Sequence, residues 1–184
     1  MKNKIIIIGG YCATGKSTFA RKLSRELHVP CFEKDIIKET LGDGFGPESG
    51  EVFAKGSLVT FMLMLHIAEC FLQAGRICIL ESNFRLQEFD RIKELLAKYN
   101  GECLLFKFKG DLDVIHKRYL ERHDAGERHW VHKGGGTIEI FKNAMTERFG
   151  LNGAEAEQTV DVDATSFDDI DYENLVCIAK GFIK

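Results

Sequence analysis

The sequence predicts an α/β fold built on a parallel sheet, and two observations carry that prediction. Five short strand-like runs alternate with helical patterns, the rhythm of successive βα units. The first run passes through Gly9 and Gly10 into a loop and then a helix, the arrangement of a strand that ends at a binding edge. A chain of 184 residues falls in the range of one domain, so residues 1–184 are read as a single unit.

Ile5 to Ile8 is β-branched throughout, as a strand buried on both faces should be. Lys16 to Leu27 follows as a helix, because Phe19, Ala20, Leu23 and Leu27 recur on one face, and Pro30 is expected to end it. Val29 to Phe32 makes a short second strand, leading to Asp35 and an amphipathic turn over Ile36 to Leu41. Gly42 to Gly50, with Pro47 inside, reads as a hinge or surface loop. Helix resumes from Glu51 to Gln73, where the stripe Phe53, Phe61, Met62, Met64 and Leu65 is expected mostly in the core. Gly75 stops that helix, and Ile77 to Leu80 is the third strand, ending at Glu81. Gln87 to Lys98 is helical with Phe89, Ile92, Leu95 and Leu96 inward, and Asn100-Gly101 turns the chain into a fourth strand, Cys103 to Phe108. Leu112 to Arg122 is helical and increasingly basic. His123 to Gly136 loses all apolar periodicity and is expected to be mobile. A helix over Thr137 to Phe149, a fifth strand over Thr159 to Val162 and a closing helix over Asp171 to Ala179 complete the chain.

Hydrophobic residues make up 45% and charged residues 29%, which excludes a fibrous or wholly disordered chain. The formal charge of -3 disfavours a generic nucleic-acid coat, which relies on clustered positive charge. The most apolar stretch, Leu58 to Leu65, falls short of the ~18 residues a membrane span needs, so no span is expected. Ile5 to Ile8 is likewise too short for the core of a signal peptide. Six cysteines, Cys12, Cys31, Cys70, Cys78, Cys103 and Cys177, stand singly and are read as reduced thiols, which points to the cytoplasm.

Gly10-Tyr11-Cys12-Ala13-Thr14-Gly15-Lys16-Ser17 fits G-x-x-x-x-G-K-[ST] in full, between a strand and a helix as that motif requires. Glycines let the backbone curl so that successive N–H groups point at phosphate oxygens, and the following helix adds its positive end. The set Gly10, Cys12, Ala13, Thr14, Gly15, Lys16, Ser17 and Thr18 is therefore expected to bind a nucleoside triphosphate, with Lys16 bridging the outer phosphates and Ser17 on Mg²⁺.

This motif, the spacing to Asp35 and a late arginine-rich segment together resemble the P-loop small-molecule kinases. The run GKSTFARKLSRELHVPCFEKD, Gly15 to Asp35, is most similar to the zeta-toxin, chloramphenicol-phosphotransferase and gluconate-kinase type. The resemblance implies a P-loop NTPase three-layer fold, a five-stranded parallel sheet of order 2-3-1-4-5, and a mobile lid at about 112–149. It also implies a carboxylate beyond the second strand that orients and deprotonates the acceptor hydroxyl. Asp35 is the candidate, Glu33 competes for that role, and a helix N-cap is the structural alternative for Asp35. Glu81 stands where such proteins carry an acid that holds Mg²⁺ through water, although the family usually has aspartate. Arg85, four residues on, matches the acid-to-arginine spacing of nucleoside monophosphate kinases and would grip the acceptor, or else is a surface charge. Arg118, Arg122 and Arg128 would be lid arginines closing on the transferring phosphoryl group, or a solvated basic face; Arg122 is the first choice. Thr165 would lie against the adenine base. His123, His129 and His132 are read as solvated or acceptor-contacting, since no carboxylate-and-cysteine framework makes them a metal site.

The reading is thus an ATP- and Mg²⁺-dependent kinase acting on a hydroxyl of a small molecule, as a monomer or homodimer with no membrane partner. Its alternatives are a kinase acting on nucleic-acid ends or tRNA-linked groups, and a nucleotide switch or ATPase module with a protein partner. The acceptor and the choice between ATP and GTP are open at this level.

Overall fold

The computed structural model describes residues 2–47, 50–126, 129–132 and 137–184, with the backbone alone for 50–54. Its centre is a five-stranded parallel sheet of order β2-β3-β1-β4-β5, formed by β1 (Asn3–Gly10), β2 (Cys31–Glu33), β3 (Cys78–Glu81), β4 (Gly101–Lys109) and β5 (Gln158–Asp163). This is the order the resemblance implies. Central β1 explains the three layers, because successive side chains of a strand face opposite ways. Ile5 and Ile7 point into one core layer with Phe61, Met64, Phe89 and Ile92. Ile6 and Ile8 point into the other with Phe19, Ala20, Leu23 and Val176. All four isoleucines are fully buried.

The helices are α1 (Lys16–Leu27), α2 (Lys34–Phe45), α3 (Gly50–Gln73), α4 (Leu86–Lys98), α5 (Leu112–Asp124), α6 (Ile138–Asn143) and α7 (Tyr172–Ile183). Helix α1 ends before Pro30: His28 takes the left-handed conformation at φ 52°, and its N–H returns to the Ser24 carbonyl. Helix α2 runs on through Gly42 and Gly44, which the sequence reading assigned to a loop. A Cβ at Gly42 would stand 3.2 Å from the Trp130 ring, so this glycine serves close packing rather than a turn. The turn comes four residues later, at Gly46 with φ 79°.

Helix α3 needs a second correction. Its stretch Lys55–Gln73 has a mean hydropathy of 1.4 and is long and apolar enough, by length and composition, to cross a membrane. One face, Phe61, Met64, Ala68 and Leu72, is buried against the sheet, while Met62, expected inside, is exposed; Phe53 lies outside the described side chains. Of the segment 123–136, residues 127–128 and 133–136 lie outside the described residues. Its first two residues extend α5, and Trp130–His132 form a 3-10 turn with Val131 buried against α2. Beyond it α6 gives way to a π turn, Ala144–Arg148, where a continuous helix was expected.

Candidate active site

The loop between β1 and α1 is shaped by its two outer glycines. Gly10 has φ 120°, and a Cβ there would collide with the Phe108 carbonyl oxygen of β4 at 2.0 Å. Gly15 has φ 80° and is the N-cap of α1, with no side chain bonding to the helix end and no acid in its first turn. The first N–H groups of α1 therefore face the cleft without a side-chain cap, the arrangement that favours an anion. The outer face of the loop is held by Tyr11, which packs with Ile115, Phe141 and Met145.

A cleft of about 290 Å³ opens over this loop, and Cys12 through Thr18 line it together with Asp35, Glu81 and Arg122. Strand register brings the acids together: Glu81 pairs with Ile8 of β1 on one side and with Glu33 of β2 on the other. Lys16 is buried, and its ammonium donates to the Tyr11 carbonyl. Burial lowers its pKa, an effect opposed by the nearby charges of Glu81, Cys12 and Asp35. Ser17 Oγ donates to Glu81 Oε2 at 3.3 Å. A hydroxyl and a carboxylate converging beside the phosphate loop are the hard oxygen donors that fit Mg²⁺.

Burial raises the Glu81 carboxyl to about 7; Lys16 and Ser17 work against that rise, while Asp35 and Glu33 add to it. The folded protein therefore holds the Glu81 proton where the unfolded chain has released it. Stability from this group is full below about pH 4.5 and is lost as pH rises through about 7, by up to about 3 kcal/mol. Glu81→Gln is expected to remove that loss. Urea titrations at pH 5 and pH 8 check it: the wild type should weaken more than the variant between the two, and parallel changes would refute it.

Glu33 and Asp35 have different surroundings. Glu33 is held by Arg21 in a two-pronged pair, Nε to Oε1 at 2.8 Å and Nη2 to Oε2 at 2.9 Å. Asp35 is exposed, carries no hydrogen bond or ion pair among the described residues, and does not cap α2, whose N-cap is Glu33. Beside it Lys34 is buried and pairs with Glu88 of α4 at 2.5 Å, which fixes the start of α2 against α4.

Several candidate residues lie elsewhere. Arg118 donates to the carbonyls of Ala164 and Thr165, both at 2.6 Å, and its guanidinium lies 4.0 Å from the Phe167 ring centre. It is thus tied to the β5–α7 connection and does not line the cleft over the loop. Thr165 Oγ1 accepts the Asp111 N–H at 2.9 Å, and Phe167 stands 3.3 Å from the Cβ position of Gly15, so this connection borders the loop. Arg85 precedes α4, with its guanidinium over the Phe149 ring at 5.8 Å, outside the cleft. Arg128 falls outside the described residues. No group of three metal-ligating side chains occurs among the described residues. His129 and His132 bond to Asp43 and Glu39, and His123 is exposed at the end of α5.

The cleft also holds Arg21, Ile36, Glu39, Asn83 and Tyr119, which the sequence reading did not select. Helical spacing carries the signal for most of them: Arg21 follows Ser17 by four, Glu39 follows Asp35 by four, and Tyr119 precedes Arg122 by three.

The family model described as AAA domain matches residues 5–133. A candidate kinase from Chloroflexus aurantiacus is similar in structure at a TM-score of 0.86 and 26% identity, with 98% of each chain covered. The gluconokinase of Sinorhizobium meliloti shares the fold at a TM-score of 0.56 and 14% identity, covering 96% of this chain and 89% of that one. The APS kinase of Mycobacterium tuberculosis, solved with AMPPNP and APS, aligns at a TM-score of 0.61 and 14% identity, covering 99% and 98%. No curated protein matches the sequence.

Proposed function

The chain belongs to the AAA domain family, and from that premise we propose that it is an ATP- and Mg²⁺-dependent kinase transferring the γ-phosphoryl group to a hydroxyl of a small molecule. The observation that carries this reading is the meeting, in one cleft, of an anion-binding loop with a carboxylate, Asp35, that has no hydrogen bond or ion pair among the described residues. A nucleotide switch needs the first; only transfer to an acceptor gives a use to the second.

The loop amides, the start of α1 and Lys16 bind the β- and γ-phosphates. Ser17 and Glu81 would hold Mg²⁺, which neutralises phosphate charge when bound. Asp35 orients the acceptor hydroxyl and takes its proton as the oxygen bonds to the γ-phosphorus and the bond to ADP breaks. Glu33 is already committed to Arg21, which favours Asp35 for this task. Arg122 balances charge on the transferring group, and the connection around Thr165, stiffened by Arg118, borders the base. With none of the six cysteines in a disulfide, a reducing cytoplasm belongs to the same proposal.

The test is ADP release from Mg·ATP in the presence of pooled sugars, nucleosides, polyols, aminoglycosides and amphenicols, with Lys16→Ala and Asp35→Asn as controls. A pool that accelerates only the wild type supports the proposal and narrows the acceptor by subdivision. Tight ATP binding with no acceleration by any pool refutes a small-molecule acceptor.

A further inference from the structure

An acceptor bearing a carboxylate, phosphate or sulfate needs a cation at its own end of the cleft, because arginine and lysine hold such groups through charge-assisted hydrogen bonds. The described lysines and arginines lining the cleft are Lys16, Arg21 and Arg122, and each is engaged elsewhere. Lys16 is buried in the phosphate loop and donates to the Tyr11 carbonyl. The charge of Arg122 acts on Lys16, which sets this arginine at the phosphate end. Arg21 is spent on Glu33 through two parallel bonds. The lysines near Asp35 in sequence turn away as well: Lys34 pairs with Glu88, and Lys38 Nζ donates to the Val131 carbonyl at 3.1 Å. Arg85 rests over the Phe149 ring, outside the cleft.

The acids of the acceptor side are disposed differently. Asp35 and Glu39 both line the cleft and are four apart on α2, hence on one helix face with about 5 to 6 Å between their Cβ atoms. Asp35 stands at the phosphate end, since its charge reaches Lys16 and Glu81, and Glu39 lies one helical turn further along α2. His132 Nε2 lies 3.0 Å from Glu39 Oε1 and so fixes this carboxylate, while Oε2 has no hydrogen-bond partner among the described residues. The Glu39 side chain keeps 29% of its surface exposed. His129 Nε2 likewise faces Asp43 Oδ1, at 2.9 Å, so each imidazole is turned to a carboxylate and neither brings an unbalanced positive charge to the cleft.

We propose that the acceptor is a cationic amino alcohol, of the amino-sugar or aminocyclitol class, whose hydroxyl meets Asp35 and whose ammonium binds Glu39. This inference rests on the kinase reading above and adds to it the charge of the acceptor. An ammonium offers three donors and no acceptor, the complement of a carboxylate with an open oxygen. An anionic group in the same place would face Asp35 and Glu39 with no cation among the described residues to offset them. Glu39 is thereby a specificity residue. Its contact with His132 orients the carboxylate before the acceptor arrives, which reduces the rotamer freedom lost on binding.

Binding and turnover are read separately, on the full chain. Glucosamine, ethanolamine and kanamycin are the amine probes, glucose and N-acetylglucosamine the neutral ones, gluconate and glycerol phosphate the anionic ones. At least one amine is expected to bind in calorimetry with Mg·AMPPNP and to accelerate ADP release from Mg·ATP, and its N-acetylated form should show a KM about tenfold higher or more. Glu39→Gln keeps the shape and an oxygen for His132; it should raise KM for the amine by about tenfold or more, keep kcat within about threefold and leave the N-acetylated form unaffected. Asp43→Asn, which alters the neighbouring histidine contact outside the cleft, should change neither constant. Acceleration by neutral or anionic probes and by no amine overturns the cationic acceptor and leaves the kinase standing. An amine that works equally well in Glu39→Gln overturns the assignment to Glu39. Should no probe accelerate ADP release, the kinase reading fails by itself and calorimetry still decides the subsite: an amine bound about tenfold more weakly by Glu39→Gln supports it, and no binding of any amine removes it.

Discussion

Lys16→Ala is expected to lower ATP affinity at least 100-fold while leaving the folding free energy within about 1 kcal/mol of the wild type. A charge pair near 4 Å is worth about 4 kcal/mol at an effective dielectric of 20, and subtracting the desolvation of both partners still leaves roughly two orders of magnitude. The small effect on folding follows from the same burial. The Lys16 ammonium is taken out of water by the loop, its pKa is lowered chiefly for that reason, and a buried charge held at such cost adds little stability. Its loss leaves Glu81 without its strongest opposing charge, but Glu81 then takes up a proton near neutral pH and remains neutral. Isothermal calorimetry with Mg·ATP and a urea titration measure the two effects. Unchanged affinity would overturn the loop assignment, and a large loss of stability would make Lys16 a structural residue.

The phosphate loop was legible in the sequence because its motif is contiguous, and each element of it acts through the backbone or through a neighbour in sequence. The strands were legible because Ile5 to Ile8 can be fully apolar only where both faces are covered. Non-local contacts were not. Nothing near Arg118 announces that its guanidinium reaches the carbonyls of Ala164 and Thr165, 46 and 47 residues away. Gly42 looked like a loop residue on intrinsic preference, yet contact with Trp130 and Val131 from a distant turn keeps it helical. The pairing of Glu33 with Arg21 follows the same pattern. In sequence Asp35 is the first candidate and Glu33 its competitor for one task, and only the fold reveals that a neighbouring helix has engaged Glu33.

That difference makes Asp35→Asn the sharpest test of the proposed chemistry. The amide keeps the size of the carboxylate and can still bond a hydroxyl, but it cannot accept the proton that must leave as the acceptor oxygen bonds to phosphorus. Turnover is expected to fall 10²- to 10⁴-fold, the usual range for removing a general base. ATP affinity should change less than about threefold, because Asp35 acts on the nucleotide side only through the field of its charge on Lys16 and Glu81. Folding should cost under about 1 kcal/mol, since Asp35 acts on α2 only as a first-turn acid and not as its cap. Glu33→Gln is the matched comparison. It breaks the contact with Arg21 and should reduce turnover no more than about fivefold, as expected for a partly exposed ion pair. Steady-state ADP release with the acceptor found in the pooled assay, alongside ATP titrations of both variants, separates the roles. Full turnover in Asp35→Asn together with a large loss in Glu33→Gln would transfer the proton to Glu33 and require the Arg21 pair to open during the reaction.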